Sequence, residues 1–392
     1  MNKDNISALA VAIAVLALIV GVAIYFNSAG LNKAATGQLG NFVPSLQNST
    51  IKLANGTTTQ KITVAHIDES QFKKAPELSQ IAGYINTNSI TLADLKGKVV
   101  IVDFWTYTCI NCIRTIPYLN SWYEKYAAMG LVIIGVHTPE FEFEKNTQNV
   151  KTAVQNFGIK YPIVQDNNMG TWNAYGNHYW PHKYLIDSQG FIRYDHIGEG
   201  GYADTEMVIR SLLAERAVLS GNIGANFNQT SITDPKNAQS VDFSRIYTPE
   251  LYFGYDYSRM PLGSPEGFKP NAVVNYTSPD IRKIQPDRIY LQGSWKNSKD
   301  NMELQDDRGK ILLAYSAKSV NIVAGGTGNA SISEDGFSLN SKSYGGDLDP
   351  NGILTLNGQR LYNIVNHLDY GSHYLIIDIS GKGFQSFTFT FG

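Results

Sequence analysis

Two residues in this chain can exchange electrons with a partner: Cys109 and Cys112, the only cysteines among 392 residues. They stand in the stretch Val102-Asp103-Phe104-Trp105-Thr106-Tyr107-Thr108-Cys109-Ile110-Asn111-Cys112-Ile113-Arg114. The residues before the pair read as a buried strand, and those after it as the start of a helix. A Cys-x-x-Cys pair at such a junction is the arrangement of a thiol–disulfide redox site, although the same spacing also serves as half of a zinc site. A bridge across so small a loop restrains little unfolded-chain entropy, so chemistry explains the pair better than stability does. Just before the helix, Cys109 is the expected nucleophile, its thiolate favoured by the helix N–H groups and macrodipole. Cys112, one turn in, is the expected resolving thiol.

Three neighbours bear on that chemistry. Asp103 lies in the buried strand before Cys109, where an ionisable group is costly without a partner. Burial raises a carboxyl pKa, which would let Asp103 take and return the proton of Cys112. A structural hydrogen bond to a neighbouring strand is the alternative. Trp180-Pro181 precedes a hairpin. A proline there is a candidate cis peptide, offering a backbone edge to a partner segment and keeping metal off the dithiol; a trans edge-strand proline is the alternative. Pro117 is expected to bend the helix behind the pair. Trp180, Trp105, Glu140 and His182 are auxiliary candidates. His137 and His178 are expected in loops at the same face, where a charged imidazole would favour the thiolate. Arg114 and Glu140 are expected beside a docking surface, where they would steer a partner. Solvated side chains are the plainer reading for the histidines and for this charged pair.

The elements that must hold these residues follow from hydrophobic periodicity. Lys98 to Trp105 reads as a central strand buried on both faces. Ile113, Ile116, Leu119, Trp122 and Tyr126 give the next helix an apolar face, ended by Gly130. Leu131 to Val136 is a second strand, Asn146 to Phe157 a second helix, Tyr161 to Val164 a short strand and Gly170 to Tyr175 a helical turn. Lys183 to Ile186 and Phe191 to Tyr194 are strands joined by a tight turn. Asp204 to Arg216 is a last helix with Asp204 near its cap. This order describes an α/β domain with a mixed sheet. From about Thr248 the period changes to two, as in Tyr374 to Ile379 and Phe384 to Phe391. Lys310 to Tyr315 and Val320 to Val323 are expected to flank a turn at Ala317-Lys318. Short strands without helices indicate an antiparallel β-sandwich.

Composition bounds the setting. Charged residues make up 17% and the net charge is -2, so neither nucleic acid nor an anionic membrane surface is an expected partner. Ile6 to Phe26 carries no charge, and about 20 apolar residues span a bilayer. The reading is a signal anchor with the rest of the chain extracytoplasmic; a long signal peptide cut near Ala29 is the alternative. Sequons at Asn48, Asn55, Asn228, Asn275 and Asn329 are compatible with export. The expected organisation is an anchor over 1–30, a linker over 31–62, an α/β domain over 63–216, a linker over 217–246 and a sandwich over 247–392.

Several segments together resemble a known family: Leu95-Lys96-Gly97-Lys98-Val99-Val100, the cysteine stretch, Gly135-Val136-His137-Thr138-Pro139-Glu140-Phe141, Tyr179-Trp180-Pro181, Gly198-Glu199-Gly200, Thr248-Pro249-Glu250-Leu251-Tyr252-Phe253-Gly254-Tyr255 and Phe389-Thr390-Phe391-Gly392. The chain is similar to the thioredoxin fold family in its TlpA/ResA branch, and most of all to the extracytoplasmic part of DipZ-type cytochrome c biogenesis proteins. The resemblance covers roughly residues 75–392. It implies a thioredoxin-like α/β domain followed by an all-β jelly-roll sandwich like a carbohydrate-binding module, here behind one N-terminal transmembrane helix. Typical members carry a polytopic CcdA-like domain at that end. The expectation is therefore a separate CcdA-like or other membrane redox partner.

The expected function is a membrane-anchored protein thiol:disulfide oxidoreductase acting on exported cysteine-containing proteins such as apocytochromes. Its redox-active disulfide, Cys109–Cys112, is expected to be its only redox group, with no further cofactor and no metal. Two cysteines and a histidine could bind copper or zinc, but the copper-delivery relatives resemble a Cys-x-x-x-Cys spacing. Asp347 to Gly352 resembles half a calcium loop, with Gly358 where the closing Glu belongs. Tyr252, Tyr255, Tyr257 and Trp295 are either stacking residues for a glycan or protein ligand, or core. Two other functions stand beside the first. A thiol peroxidase would use Cys109 with Thr106, but Val102 stands where its motif needs proline. A cell-surface binding protein would act through the sandwich.

Overall fold

The computed structural model describes residues 45–51, 60–66, 69–221 and 232–392. The expected membrane helix lies outside the described residues. Among the described residues no helix is long and apolar enough to cross a membrane. Within the stretch expected as a tether, β1 (Ser45–Ile51) and β2 (Gln60–His66) pair antiparallel. The β-branched run Ile62-Thr63-Val64 suits a strand.

The described residues divide into two compact units. One takes the chain up to Thr106, with Arg114–Pro139 and Val154–Ala238; the other takes Tyr107–Ile113, Glu140–Ala153 and Gln239–Gly392.

The first unit is built on a six-stranded mixed sheet. Its strands are β3 (Gly83–Ile85), β4 (Val99–Trp105), β5 (Leu131–His137), β6 (Ile163–Gln165), β7 (His182–Ile186) and β8 (Ile192–Ile197), in the spatial order β3-β6-β5-β4-β7-β8. β4, β5 and β6 run parallel; β3, β7 and β8 run against their neighbours. All seven residues of β4 are buried, as a strand covered on both faces requires. α1 (Ile110–Tyr126) leaves the cysteine loop and continues through Pro117. A short 3-10 turn then ends at Gly130, whose φ of 104° closes it in the left-handed region. α2 (Thr147–Asn156), α3 (Gly170–Tyr175) and α4 (Tyr202–Leu219) complete the helices. Gly135 in β5 has no room for a side chain: a Cβ there would lie 2.4 Å from Ile163 Cδ1 and 2.9 Å from Trp105 Nε1.

The C-terminal part of the second unit is β-rich. In chain order it holds β9 (Leu251–Tyr252), β10 (Val273–Tyr276), β11 (Tyr290–Asn297), β12 (Met302–Leu304), β13 (Arg308–Gly326), β14 (Asn329–Glu334), β15 (Phe337–Ser338), β16 (Ile353–Thr355), β17 (Arg360–Ser380) and β18 (Phe384–Phe391). Their ladders are antiparallel, in the order β10-β11-β12-β18-β13-β17-β14-β15, with β9 on β18 and β16 on β14. The turn expected at Ala317-Lys318 is absent. β13 runs unbroken, and the irregularity falls on its partner: β17 slips so that Gly371 faces Ala317 and Asn366 faces Ser319. Alternation holds at Tyr374–Ile379, where Leu375, Ile377 and Ile379 are buried. In β18 the second face is also covered, because Phe141 and Phe143 lie against Phe387 at ring distances of 5.3 and 4.7 Å. Trp295 is fully buried in the core, which removes it from the stacking candidates.

Candidate active site

β4 delivers the chain to the cysteine loop. Asp103 is the ionisable residue in that strand, facing Gly135 on β5 and Lys183 on β7. Burial pushes its carboxyl up to about 7, with the Lys183 ammonium drawing it partly back. Lys183 is fully buried and donates from Nζ to the Gly198 carbonyl at 3.1 Å.

The start of α1 shapes the dithiol. Cys109 holds the N-cap position: its carbonyl accepts the Ile113 N–H at 3.0 Å, and its Sγ accepts the Cys112 N–H at 3.2 Å. A sulfur thus takes the place that a serine or aspartate oxygen fills in ordinary caps. Cys109 is half-buried and Cys112 is buried. One sulfur can be approached; the other waits one turn inside. Burial pushes the Cys109 thiol up, the contacts with Cys112 oppose the rise, and the carboxylates of Glu250 and Glu140 add to it. Desolvation is the largest of these effects.

Within the second unit the cysteine loop is tied to the Glu140–Ala153 segment. Glu144 is fully buried and accepts the Thr108 hydroxyl at 2.6 Å. Its other oxygen accepts the N–H groups of Glu140 and Phe141 at 2.6 and 2.9 Å. Glu140 is held rather than solvated. Its carbonyl accepts the Tyr257 hydroxyl at 2.8 Å, and its Oε1 lies 2.7 Å from Tyr252 Oη. Glu250 Oε2 lies 3.1 Å from the same Tyr252 Oη. One phenol has one proton to donate, so two carboxyl contacts require that a carboxyl proton supply the second. Burial, then the neighbouring Glu250 and Glu144 charges, push Glu140 up to about 8. Glu250, whose outer surface stays in solvent, is pushed up by desolvation of the side it turns inward.

Several expectations are corrected by burial. Arg114 does not sit on a docking surface; it is 4% exposed and pairs with Glu199 at 3.1 Å. His137 is not a loop residue. It ends β5, fully buried, with its ring edge-on to Trp105 at 5.3 Å and its Nε2 3.3 Å from Thr106 Oγ1. Burial lowers its pKa to about 3, so it stays neutral and offers the thiolate no charge. His182 is buried, with Nδ1 2.7 Å from Asn177 Oδ1 and Nε2 2.9 Å from Asp195 Oδ2, so it is built into the fold. His178 is exposed, as expected. Trp105 is a core residue at 2% exposure. The Trp180-Pro181 peptide is cis; Trp180 donates from Nε1 to the Thr138 carbonyl at 3.1 Å and lies on Trp172, ring centroids 4.3 Å apart.

In the half calcium loop, Asp347 pairs with Arg360 at 2.7 Å, and Asp349 accepts the N–H groups of Asn351 and Ile353. Both Asp347 oxygens and Asp349 Oδ1 are committed to protein donors. Reasoning from sequence passed over Thr108, Glu144 and Glu250, and left Tyr252 between a stacking residue and a core residue. The signal for Glu250 and Tyr252 was their place in the Thr248 to Tyr255 segment, whose chemistry shows only once Glu140 is beside it.

Comparisons with known proteins cover both halves of the chain. A model of the AhpC/TSA family matches residues 73–195, and one described as a thioredoxin-like C-terminal domain matches residues 248–392. The chain is 37% identical over 321 residues to Protein DipZ of Mycobacterium tuberculosis, a match covering 81% of this chain and 43% of DipZ. It thus spans less than half the length of that relative. It is 33% identical over 127 residues to the thiol-disulfide oxidoreductase ResA of Bacillus anthracis, covering 32% of this chain and 69% of ResA. A solved structure of a thioredoxin-like superfamily protein aligns at 30% identity over 36% of this chain and 96% of its own, with a TM-score of 0.34.

Proposed function

This chain belongs to the family of thiol–disulfide oxidoreductases that includes ResA, with a thioredoxin-like fold and a β-rich C-terminal region, and from that premise we propose that it reduces disulfides of exported proteins from a membrane-anchored position. The observation that carries the reading is the pair of sulfurs at the start of α1, one approachable and one buried, joined by the Cys112 N–H contact to Cys109 Sγ at 3.2 Å.

The Cys109 thiolate attacks a substrate disulfide. A Cys109–substrate S–S bond forms, the substrate S–S bond breaks, and the leaving thiolate takes a proton. Cys112 then gives its proton to Asp103 and attacks Cys109 Sγ. The internal disulfide forms and the second substrate thiol leaves. Two electrons pass to the substrate and the Cys109–Cys112 couple ends oxidised. Apocytochrome haem-binding cysteines are a substrate class consistent with the likeness to DipZ. A CcdA-like membrane redox partner would return the couple to the dithiol. The β-rich region would bind a glycan or protein ligand, which brings substrate to Cys109.

Val102 stands where the peroxidase motif needs proline, and this disfavours a peroxidase. The test is a trap. Cys112→Ala should accumulate mixed disulfides through Cys109, and the couple should have a reduction potential near thioredoxin's, about -270 mV. Absence of trapped partners while a thiol reagent still modifies Cys109 would sink the exchange reading. A potential near about -120 mV would reverse its direction.

A further inference from the structure

The β-rich region carries a side-chain cluster that the dithiol chemistry does not use. We propose that Glu334, His367 and His373 form a binding site for one divalent late-transition-metal ion of the zinc type. Their ligand atoms all lie within 4.8 Å of one another.

Regular strand geometry does not bring these residues together. His367 and His373 both belong to β17, and six residues at about 3.3 Å each would hold them roughly 20 Å apart. The slip of β17 against β13 falls between Asn366 and Gly371. It makes the strand bulge, with residues 367–370 set against Lys318 alone, and the two imidazoles stack with centroids 4.5 Å apart. Glu334, the last residue of β14, lies opposite Leu375 on the same strand and is 7% exposed. Gly371 leaves space at the imidazole: a Cβ there would stand 2.7 Å from His373 Nε2.

Both rings are oriented from behind. His367 Nδ1 lies 3.0 Å from Ser343 Oγ, and His373 Nδ1 lies 2.9 Å from Asp335 Oδ2. These contacts occupy Nδ1 and leave Nε2 of each ring for a ligand. Metal-bound histidines are oriented in this way, with the far nitrogen donating to a carboxylate or another oxygen. Asp335 is itself fixed. With Gly336 it forms the two-residue turn from β14 to β15, at φ of 53° and 86°, and its Oδ1 accepts the Tyr374 N–H at 2.9 Å.

A proton occupies the place an ion would take. His367 Nε2 is 3.0 Å from Glu334 Oε2, a contact that needs a hydrogen on the ring nitrogen. Tyr315 donates its hydroxyl to Glu334 Oε1 and also lies 3.3 Å from His367 Nε2. An arriving cation binds His367 Nε2, whose ring proton shifts to Nδ1 and is donated to Ser343 Oγ, takes His373 and Glu334 Oε2 as further ligands, and leaves Tyr315 holding the other carboxyl oxygen. Two imidazoles with one carboxylate suit zinc and its neighbours, whereas calcium and magnesium take oxygen ligands. Three protein ligands leave a coordination position for water or for a donor group of a bound molecule.

The experiment uses the full chain with Cys109 and Cys112 alkylated, so the dithiol cannot compete, after stripping with a chelator. Zinc is titrated by calorimetry and cobalt by its visible absorption. The expected result is one ion per chain. His367→Ala and His373→Ala should each lose at least about 100-fold in affinity, and Asp335→Asn about 10-fold. Circular dichroism and melting in chelator establish that each variant is folded. If the alkylated wild-type chain takes up no zinc at about 0.1 mM, the site is refuted whatever the variants do. Unchanged binding by a folded His367→Ala/His373→Ala double variant refutes it equally.

Discussion

The Thr108 hydroxyl donates to the Glu144 carboxylate at 2.6 Å, one residue before Cys109. Glu144 also receives the N–H groups of Glu140 and Phe141, so one buried side chain fixes both the cysteine loop and the segment beside it. Its truncation strands three donors. Glu144→Ala should cost about 2–4 kcal/mol in urea unfolding, and Thr108→Val, which removes one of the three, about 1–2 kcal/mol. A Glu144→Ala loss within about 0.5 kcal/mol, the range of an ordinary surface change, would mean that this carboxylate anchors nothing.

The carboxyls of Glu140 and Glu250 oppose thiolate formation at Cys109. Burial pushes Glu140 up to about 8 and Glu250 in the same direction. Glu250→Gln removes one of the two carboxyls whose charge works against the thiolate. The iodoacetamide alkylation profile of Cys109 should move to lower pH, by about one unit. A midpoint that stays in place or rises would show that the carboxyl is not felt by the sulfur.

Much of this site was legible in the sequence, and the reasons are local. The apolar run before the cysteines fixes β4, the helical spacing of Ile113, Ile116 and Leu119 fixes α1, and Cys109 is placed at its N-cap by their junction. Asp103 stood out because a carboxylate in such a run has nowhere else to go. What escaped depends on partners far along the chain. Arg114 looked like a steering charge because Glu199, which neutralises it, comes 85 residues later. Glu140 looked solvated because Tyr252 comes 112 residues later. The slip in β17 leaves no mark in an alternating pattern, since it alters register rather than composition.

Burial holds the Asp103 carboxyl near 7, which, on the proposed role of Asp103 as acceptor of the Cys112 proton, sets a pH window for the resolving step. Below that pH the group is protonated and cannot accept the Cys112 proton; above it, it can. Single-turnover resolution of a Cys109 mixed disulfide should therefore accelerate as pH rises through about 7. In Asp103→Asn the inflection should vanish and the rate at about pH 8 should fall by about 100-fold. Retention of the inflection in the asparagine variant would assign it to another group.

The ion pair of Arg114 and Glu199 gives a stability test with a pH signature. Their side chains are 3% and 6% exposed, and removing one partner of a buried pair costs about 3–5 kcal/mol. Burial already pushes the Glu199 carboxyl up, while Arg114 holds it down. In Arg114→Met the larger restraint is gone, that of Lys183 alone remaining, and the folded-state pKa rises further above the unfolded value. A raised carboxyl contributes stability that is fully present below the unfolded pKa and lost as pH rises through the folded one. The penalty of Arg114→Met should thus be smallest near about pH 4.5 and approach its full size by about pH 8. Adding Glu199→Gln removes the uncompensated charge and should recover most of the loss at the higher pH. Urea unfolding of the single and double variants at both pH values decides it: a penalty independent of pH, with no recovery in the double variant, would mean that Arg114 stabilises through packing alone.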